Sequence, residues 1–154
     1  TKEQCAEAVR YYREYYREKG IFENHVYDGM EEVLKELKRR GKTLVVATSK
    51  PEPFARQIIE HFGLDPYFDY VAGMELSGGR GTKEEVIRYA LCACKIADKS
   101  KVLMVGDREH DVFGAHAAGM ECLGILYGFG TREELVSAGA DYIGETVEGI
   151  LRFS

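Results

Sequence analysis

The spacing of hydrophobic residues alternates between two patterns along the chain. Short uninterrupted apolar runs predict strands that are buried on both faces, and the clearest are Thr43–Thr48 and Lys101–Val105. Weaker runs predict further strands over Tyr70–Ala72, Cys122–Tyr127 and Ala140–Ile143.

Segments with helical spacing of apolar residues separate these runs. Capping-box patterns mark two helix starts, one formed by Thr82 with Glu85 and the other by Thr131 with Glu134. The predicted helices are Lys2–Lys19, Gly29–Arg40, Pro51–Phe62, Thr82–Ala97, Asp111–Ala118, Thr131–Ala138 and Val147–Phe153.

This alternation of strands and helices predicts an α/β domain with a mostly parallel sheet and right-handed crossovers. In such sheets ligands bind beyond the carboxyl ends of the strands. The residues that follow each predicted strand are therefore the candidates for function.

The composition of the chain argues against nucleic-acid and membrane partners. The 154 residues are 45% hydrophobic and 31% charged, and the net charge of −5 excludes a domain-wide basic footprint for nucleic acid. The apolar runs are too short to cross a bilayer and the opening residues lack a signal-peptide pattern, so no membrane partner is expected. The cysteines are expected to be buried or half-buried free thiols, which favours a reducing cytoplasm; they are Cys5, Cys92, Cys94 and Cys122.

Two predicted strand ends carry groups suited to an anion. Thr48 and Ser49 precede a helix that opens at Pro51, where hydroxyls and backbone N–H groups favour negative charge, although plain helix capping explains them as well. Arg80 and Lys83 flank the next helix start, where cations oppose the helix dipole. A bound anion would offset that cost; a solvated surface pair is the alternative.

A pair of aspartates follows the clearest strand. Asp107 comes directly after Gly106 at the predicted strand end, and Asp111 lies four residues later at a helix start. Carboxylates of this kind suit Mg²⁺, which keeps several waters and takes one or two protein carboxylates. Asp111 is also explained as an ordinary N-cap, and both roles are compatible.

The order of these groups resembles that of the haloacid dehalogenase-like hydrolases, a family of Mg²⁺-dependent phosphatases, over essentially the whole chain. Thr48 is similar to the second-motif residue that hydrogen-bonds the phosphoryl group, with Ser49 beside it. Lys83 resembles the third-motif cation, with Arg80 as its rival. Asp107 and Asp111 resemble the fourth motif, in which Asp107 would ligate Mg²⁺ and Asp111 would support the ion or the lysine.

The resemblance is greatest to the phosphoglycolate phosphatase-like branch, through segments such as 47–51, 127–130 and 138–143. It implies a Rossmann-like three-layer core over residues 21–154 and the last helix of a helical cap over residues 1–20. Members of this branch act on phosphoglycolate or on nucleoside monophosphates, so a small phosphorylated metabolite is the expected partner.

The family's first motif, Asp-x-Asp-Gly-Thr, has no counterpart in this sequence. Its first aspartate is the nucleophile, and its strand lies between those that here end at Thr48 and Val105. The one Asp-Gly pair, Asp28-Gly29, opens a predicted helix instead. Without that strand two edges would leave backbone groups unpaired in the interior. We therefore expect an N-terminal segment of the same protein to fill the position, or the fold to rearrange and close it.

These features predict a phosphomonoester hydrolase that acts through an aspartyl-phosphate, here as a fragment that is inactive alone. The alternative is a non-catalytic remnant that binds phosphate or metal. A receiver-type signalling domain fits less well because the early region lacks an acidic pair, and a dinucleotide binder fits poorly because no Gly-x-Gly-x-x-Gly follows a strand.

Overall fold

The structure is a computed structural model and describes residues 4–5, 7–8, 10–11, 15–16 and 19–153. The strands are β1 (Val45–Pro51), β2 (Tyr70–Met74), β3 (Leu103–Gly106), β4 (Glu121–Ile125) and β5 (Tyr142–Gly144). The helices are α1 (Met30–Arg39), α2 (Glu52–His61), α3 (Lys83–Ala93), α4 (Glu109–Ala118) and α5 (Arg132–Ser137). Short 3₁₀ helices cover Gly20–Phe22, Asp65–Tyr67, Lys99–Lys101 and Val147–Phe153.

The α/β class and the parallel strands are confirmed. The five strands form two sheets, one with the order β1-β2 and the other with the order β3-β4-β5, and every pairing is parallel. Because parallel neighbours point the same way, the carboxyl ends of the strands in each sheet lie together. The residues after β1 and β3, where the candidate site was expected, are at these ends.

Helices cover both faces of the strands. On one face the main core joins α3, α4 and α5 through Ile87, Val112 and Leu135. On the other, α1 packs on the final 3₁₀ helix through Val33 and Val147. This apolar burial is the main source of stability and fixes the strand ends in space.

A cleft separates the two sheets. It has a volume of about 670 Å³, and its lining includes Val45 and Ala47 of β1 and Leu103 and Val105 of β3. In the part of the chain that the structure describes, β1 pairs only with β2, and β3 pairs only with β4. The fold therefore does not rearrange to close the gap between these two edges.

Several element ends differ from prediction. The helix expected to reach Ala97 ends at Ala93, because Lys95 takes a left-handed conformation (φ 56°) and the Ile96 N–H bonds back to the Leu91 carbonyl. The last predicted helix is 3₁₀ and not α. Asp111 is not the N-cap of α4, since that helix begins at Glu109.

The second capping box is only half formed. Thr131 Oγ1 accepts the Glu134 N–H at 3.2 Å, as predicted. The Glu134 carboxylate instead caps α4, where it accepts hydrogen bonds from Arg108 Nε (2.7 Å) and the Glu109 N–H (3.0 Å). The first box, Thr82 with Glu85, is complete and is confirmed.

Much of the predicted helix Lys2–Lys19 lies outside the described residues. Its described members at 4–5, 7–8, 10–11 and 15–16 are helical. No described helix is both long enough and apolar enough to cross a membrane. All four cysteines are unpaired, but Cys5 and Cys92 are exposed, contrary to the expectation that all would be at least half-buried.

Candidate active site

Lys83 connects the ends of the two sheets. As the first residue of α3, it extends its ammonium to the Ala47 carbonyl of β1 (3.0 Å) and to Asp111 Oδ1 (2.7 Å) on α4. Only 13% of its side chain is exposed. A nearly buried cation thus lies at the carboxyl end of the cleft, where it can attract an anion.

Asp111 is buried and its two oxygens have different tasks. Oδ2 accepts the backbone N–H groups of Asp107 (3.0 Å) and Arg108 (3.1 Å), and Oδ1 pairs with Lys83. These bonds fix the turn after β3. With both oxygens engaged, the geometry suits the supporting role that the family resemblance implies for Asp111 better than direct metal ligation.

Asp107 lies half-buried at the end of β3. Its Oδ2 accepts the Phe129 N–H at 2.8 Å. A Cβ at Gly130 would collide with the Asp107 carbonyl oxygen, so the loop after β4 passes this aspartate with no room for a side chain. The carboxylate is therefore held in one position while remaining open to a ligand.

Thr48 and Ser49 lie at the end of β1. Thr48 Oγ1 accepts the Lys50 N–H at 3.2 Å, which leaves its hydroxyl proton available to a ligand. The pairing register with β2 shifts between Thr48 and Pro51, so Ser49 is exposed in an irregularity just before α2. Both residues lie at the carboxyl end of β1, and their role in binding an anion stays a prediction.

Arg80 does not join this group. Its guanidinium donates to the Gly73 carbonyl (3.3 Å) and to Glu52 Oε2 (3.2 Å) and lies 3.7 Å from the centre of the Tyr89 ring. Lys83, and not Arg80, is therefore the cation in contact with Asp111 of the fourth motif. The assignment of either to phosphate stays a prediction.

The side chains at this site determine whether it could coordinate a metal ion. Among the described ranges of the chain, no three His, Cys, Asp or Glu side chains come together in an arrangement that could hold one. Of the two aspartates, Asp107 has the more accessible carboxylate, which fits Mg²⁺ only if further ligands come from water, substrate and another carboxylate.

Sequence reasoning missed two contributors. One is the Phe129 amide, for which the glycines on both sides of Phe129 were the available signal. The other is Tyr127, whose buried hydroxyl has no hydrogen-bond partner among the described residues. Burial, together with Tyr27 and nearby carboxylates, raises the pKa of Tyr127 to about 12, so the phenol stays neutral.

Comparison with known proteins identifies a family and its members. Residues 1–125 match the family model described as haloacid dehalogenase-like hydrolase. A curated 5'-nucleotidase of Pseudomonas aeruginosa is 50% identical over 129 residues, which are 84% of this chain and 58% of that protein. The tyrosine-protein kinase PtkA of Mycobacterium bovis is 38% identical over 144 residues, which are 94% of this chain and 46% of the kinase.

A solved structure has the same fold. The crystal structure of a predicted phosphatase from Clostridium acetobutylicum is 49% identical and superposes with a TM-score of 0.90, over 99% of this chain and 70% of that one. Phosphoglycolate phosphatases are among the more distant relatives. The chain spans about half the length of the first two curated relatives.

Proposed function

Because the chain belongs to the haloacid dehalogenase-like hydrolases, in their phosphoglycolate phosphatase-like branch, we propose that it carries most of the active site of a magnesium-dependent phosphomonoester hydrolase. The observation that carries this proposal is the Lys83 ammonium, which bridges the Ala47 carbonyl and Asp111 at the mouth of the cleft. A fixed, nearly buried cation at that point is suited to a phosphate dianion.

The residues of this chain would position and neutralise the phosphoryl group. Lys83 would offset the negative charge that develops on the phosphoryl oxygens, and the Thr48 hydroxyl would orient one of them. Ser49 and the first backbone N–H groups of α2 would support the same oxygens, since the start of a helix favours negative charge.

Asp107 is the proposed magnesium ligand. The Phe129 N–H holds its carboxylate in place, and Asp111 fixes the backbone on which Asp107 is carried. When bound, Mg²⁺ would supply Lewis-acid polarisation of a phosphoryl oxygen. Asp111, the second aspartate expected near the metal, would act indirectly. Its carboxylate would hold Asp107 and Lys83 in their positions.

We propose that the aspartate nucleophile comes from a strand outside this chain, which enters the cleft between β1 and β3. Among the described residues neither of these edges is paired with a further strand, each strand runs parallel to its neighbour, and the lining of the cleft is mostly apolar. A parallel strand there would satisfy both edges and end beside Lys83 and Asp107. The chain alone is then inactive.

The second candidate is a non-catalytic protein that binds phosphate or metal. It is favoured by the position of Asp28, the one aspartate followed by glycine, which precedes the left-handed N-cap Gly29 of α1 and follows no strand among the described residues. On this view Thr48, Lys83 and Asp107 hold an anion and an ion without turnover.

The substrate is proposed to be a small phosphorylated metabolite. Two classes are open: phosphoglycolate-like acids, from the branch, and nucleoside monophosphates, since the P. aeruginosa relative is named a 5'-nucleotidase. The unpaired state of all four cysteines supports a reducing cytoplasm as the compartment.

The test compares the complete gene product with this 154-residue chain. Phosphate release is measured from p-nitrophenyl phosphate, phosphoglycolate and nucleoside 5'-monophosphates, with Mg²⁺ and with a chelator. The hydrolase proposal expects release by the complete protein only, abolished by the chelator. Binding of inorganic phosphate without release by either protein would support the non-catalytic candidate and overturn the hydrolase.

A further inference from the structure

Five side chains form a closed ring beside the candidate site, which we call the Glu52 ring. Glu52 accepts hydrogen bonds from Arg56 Nη2 (3.0 Å) and Arg80 Nη2 (3.2 Å). Arg56 lies 5.5 Å from the centre of the Tyr70 ring, and Arg80 lies 3.7 Å from that of Tyr89. The Tyr70 and Tyr89 hydroxyls are 2.8 Å apart, which completes the circuit.

The Glu52 ring joins four parts of the fold: the first turn of α2, the start of β2, the middle of α3 and the loop that precedes α3. Both arginines also bond to the backbone of β2, Arg56 to the Val71 carbonyl (2.9 Å) and Arg80 to the Gly73 carbonyl (3.3 Å). These hydrogen bonds hold the loop that follows β2 against the start of α2.

The contact between β2 and the start of α2 is closest at Gly73. A Cβ there would lie 2.6 Å from the backbone of Glu52 and from the Lys50 carbonyl, so the end of β2 contacts the segment after Thr48 directly. The Glu75 N–H bonds to the Arg80 carbonyl at 3.1 Å, which closes the loop on itself. Arg80, three residues before Lys83, therefore fixes the position from which α3 begins.

We infer that Arg80 is a positioning residue for Lys83 and not a phosphate ligand. Through the Glu52 ring, Arg80 holds the start of α3 against the segment that carries Thr48, so that the Lys83 ammonium meets Ala47 and Asp111. The inference rests on the proposed function, since it assigns Lys83 as the cation of that site. The described contacts of the Arg80 guanidinium are with the Gly73 carbonyl, the Glu52 carboxylate and the Tyr89 ring.

Arginine and lysine differ in ways that make this testable. Arg80→Lys keeps the positive charge but loses the planar fork and the stacking on Tyr89. A residue that contributes only positive charge to the phosphate would largely tolerate that change, whereas a residue that acts through the fork and the stacking would not. Tyr89→Leu removes the stacking partner from a helix position that bears no candidate phosphate group. Arg88→Lys, in an exposed pair with Glu84 on the same helix, is the matched control.

The first measurement needs no enzyme activity. Lys83 is nearly enclosed, so it should react slowly with a lysine-acetylating reagent as long as it stays paired with Asp111. Peptide mass spectrometry measures its acetylation rate, with exposed Lys35 as the internal reference. We expect Arg80→Lys and Tyr89→Leu to raise the acetylation rate of Lys83 about tenfold or more, at temperatures where each variant is folded, and Arg88→Lys to leave it unchanged. Unchanged Lys83 reactivity in both ring variants would overturn the inference.

The second measurement uses the complete gene product. The ring variants are expected to lower kcat about 10- to 100-fold with little change in KM, as misplacement of a catalytic group does, and the double variant is expected to fall no further than either single one. Loss mainly in KM for Arg80→Ala, with Arg80→Lys near wild type, would identify a phosphate ligand instead. If no phosphomonoester is hydrolysed but Lys83 is acetylated faster in the ring variants, the proposed function fails and the positioning role of Arg80 stands.

Discussion

Lys83 and Asp111 form an enclosed ion pair, with the ammonium 2.7 Å from Oδ1 and 13% and 9% of the two side chains exposed. The pair connects the start of α3 to the turn after β3. Because Asp111 also holds two backbone N–H groups of that turn, one carboxylate organises both the cation and the peptide that carries Asp107.

Asp111→Asn is expected to lower the free energy of unfolding by about 2–4 kcal/mol, since it leaves the enclosed Lys83 ammonium without its charged partner. The measurement is urea unfolding at neutral pH. Lys35→Gln, which breaks the exposed Glu31–Lys35 pair, is the control and should lower the free energy of unfolding far less than Asp111→Asn does. Equal effects of the two changes would show that the enclosed pair contributes nothing special.

Asp107→Asn is expected to lower Mg²⁺-dependent phosphate release by the complete gene product at least about 100-fold, which corresponds to several kcal/mol of lost transition-state stabilisation. Stability should hardly change, because the amide oxygen can still accept the Phe129 N–H. Phosphate release is followed as Mg²⁺ is titrated, with Asp98→Asn on an exposed turn as the control. Retained activity at ordinary Mg²⁺ would remove Asp107 from the metal site.

Gly130→Ala is expected to destabilise the fold by about 1–3 kcal/mol, because its Cβ would collide with the Asp107 carbonyl oxygen and the neighbouring backbone cannot yield. Thermal unfolding gives the readout. Gly81→Ala is the matched control, since a Cβ there meets nothing within 4 Å and the backbone is not left-handed. A melting temperature unchanged in Gly130→Ala would contradict the close approach described here.

The His116 imidazole, and after it the Cys122 N–H, hold the pKa of Asp141 below its ordinary value of 3.8. A pKa that is lower in the folded state means that the carboxylate stabilises the fold above the unfolded-state pKa, and that this contribution is lost as the pH falls through the folded-state pKa. Asp141→Asn is therefore expected to lower stability near neutral pH and to make it fall less steeply below pH 3.8.

Urea unfolding over a pH series checks this, with Asp65→Asn on the exposed Asp65–Tyr67 turn for comparison. A parallel pH dependence for wild type and Asp141→Asn would refute the assignment of acid sensitivity to this carboxylate.

Burial, followed by the nearby carboxylates of Asp111 and Asp141, raises the pKa of the Cys122 thiol to about 12. Iodoacetamide at mildly alkaline pH should therefore modify exposed Cys5 and Cys92 while leaving Cys122 unmodified until the protein is unfolded in urea. Peptide mass spectrometry resolves the sites. Alkylation of Cys122 at the rate of Cys92 in the folded protein would place it at the surface.

The apolar runs located all five strands, because they are local signals, but β1 extends to Pro51 instead of ending at Thr48 and β4 ends at Ile125 instead of Tyr127. Thr48, Lys83 and Asp107 were assigned from such signals, and the structure brings all three to the same end of the strands. Local sequence patterns do not show which of several possible hydrogen-bond partners a side chain will choose. Glu134 was expected to complete a box with Thr131, yet its carboxylate caps α4 instead.

The end of α3 shows a second limit. Lys95 adopts a left-handed conformation with no glycine to announce it, because tertiary packing of Ile96 against the core outweighs the backbone preference. The choice between Arg80 and Lys83 was likewise open in sequence, since both are cations near one helix start. The contacts that distinguish the two cations involve Glu52, which is 28 residues from Arg80 in the chain, and Tyr89 of α3.

The open edges of β1 and β3 also bear on how the chain behaves among other polypeptides. Unpaired N–H and C=O groups beside an apolar lining are a template for any extended peptide, and sheets commonly shield such edges with charges or covering elements. Here neither edge is covered by another described strand. A strand that enters the cleft would thus do more than deliver a reactive group: it would cap the sheet, so that protection from aggregation and acquisition of activity would arrive in the same event.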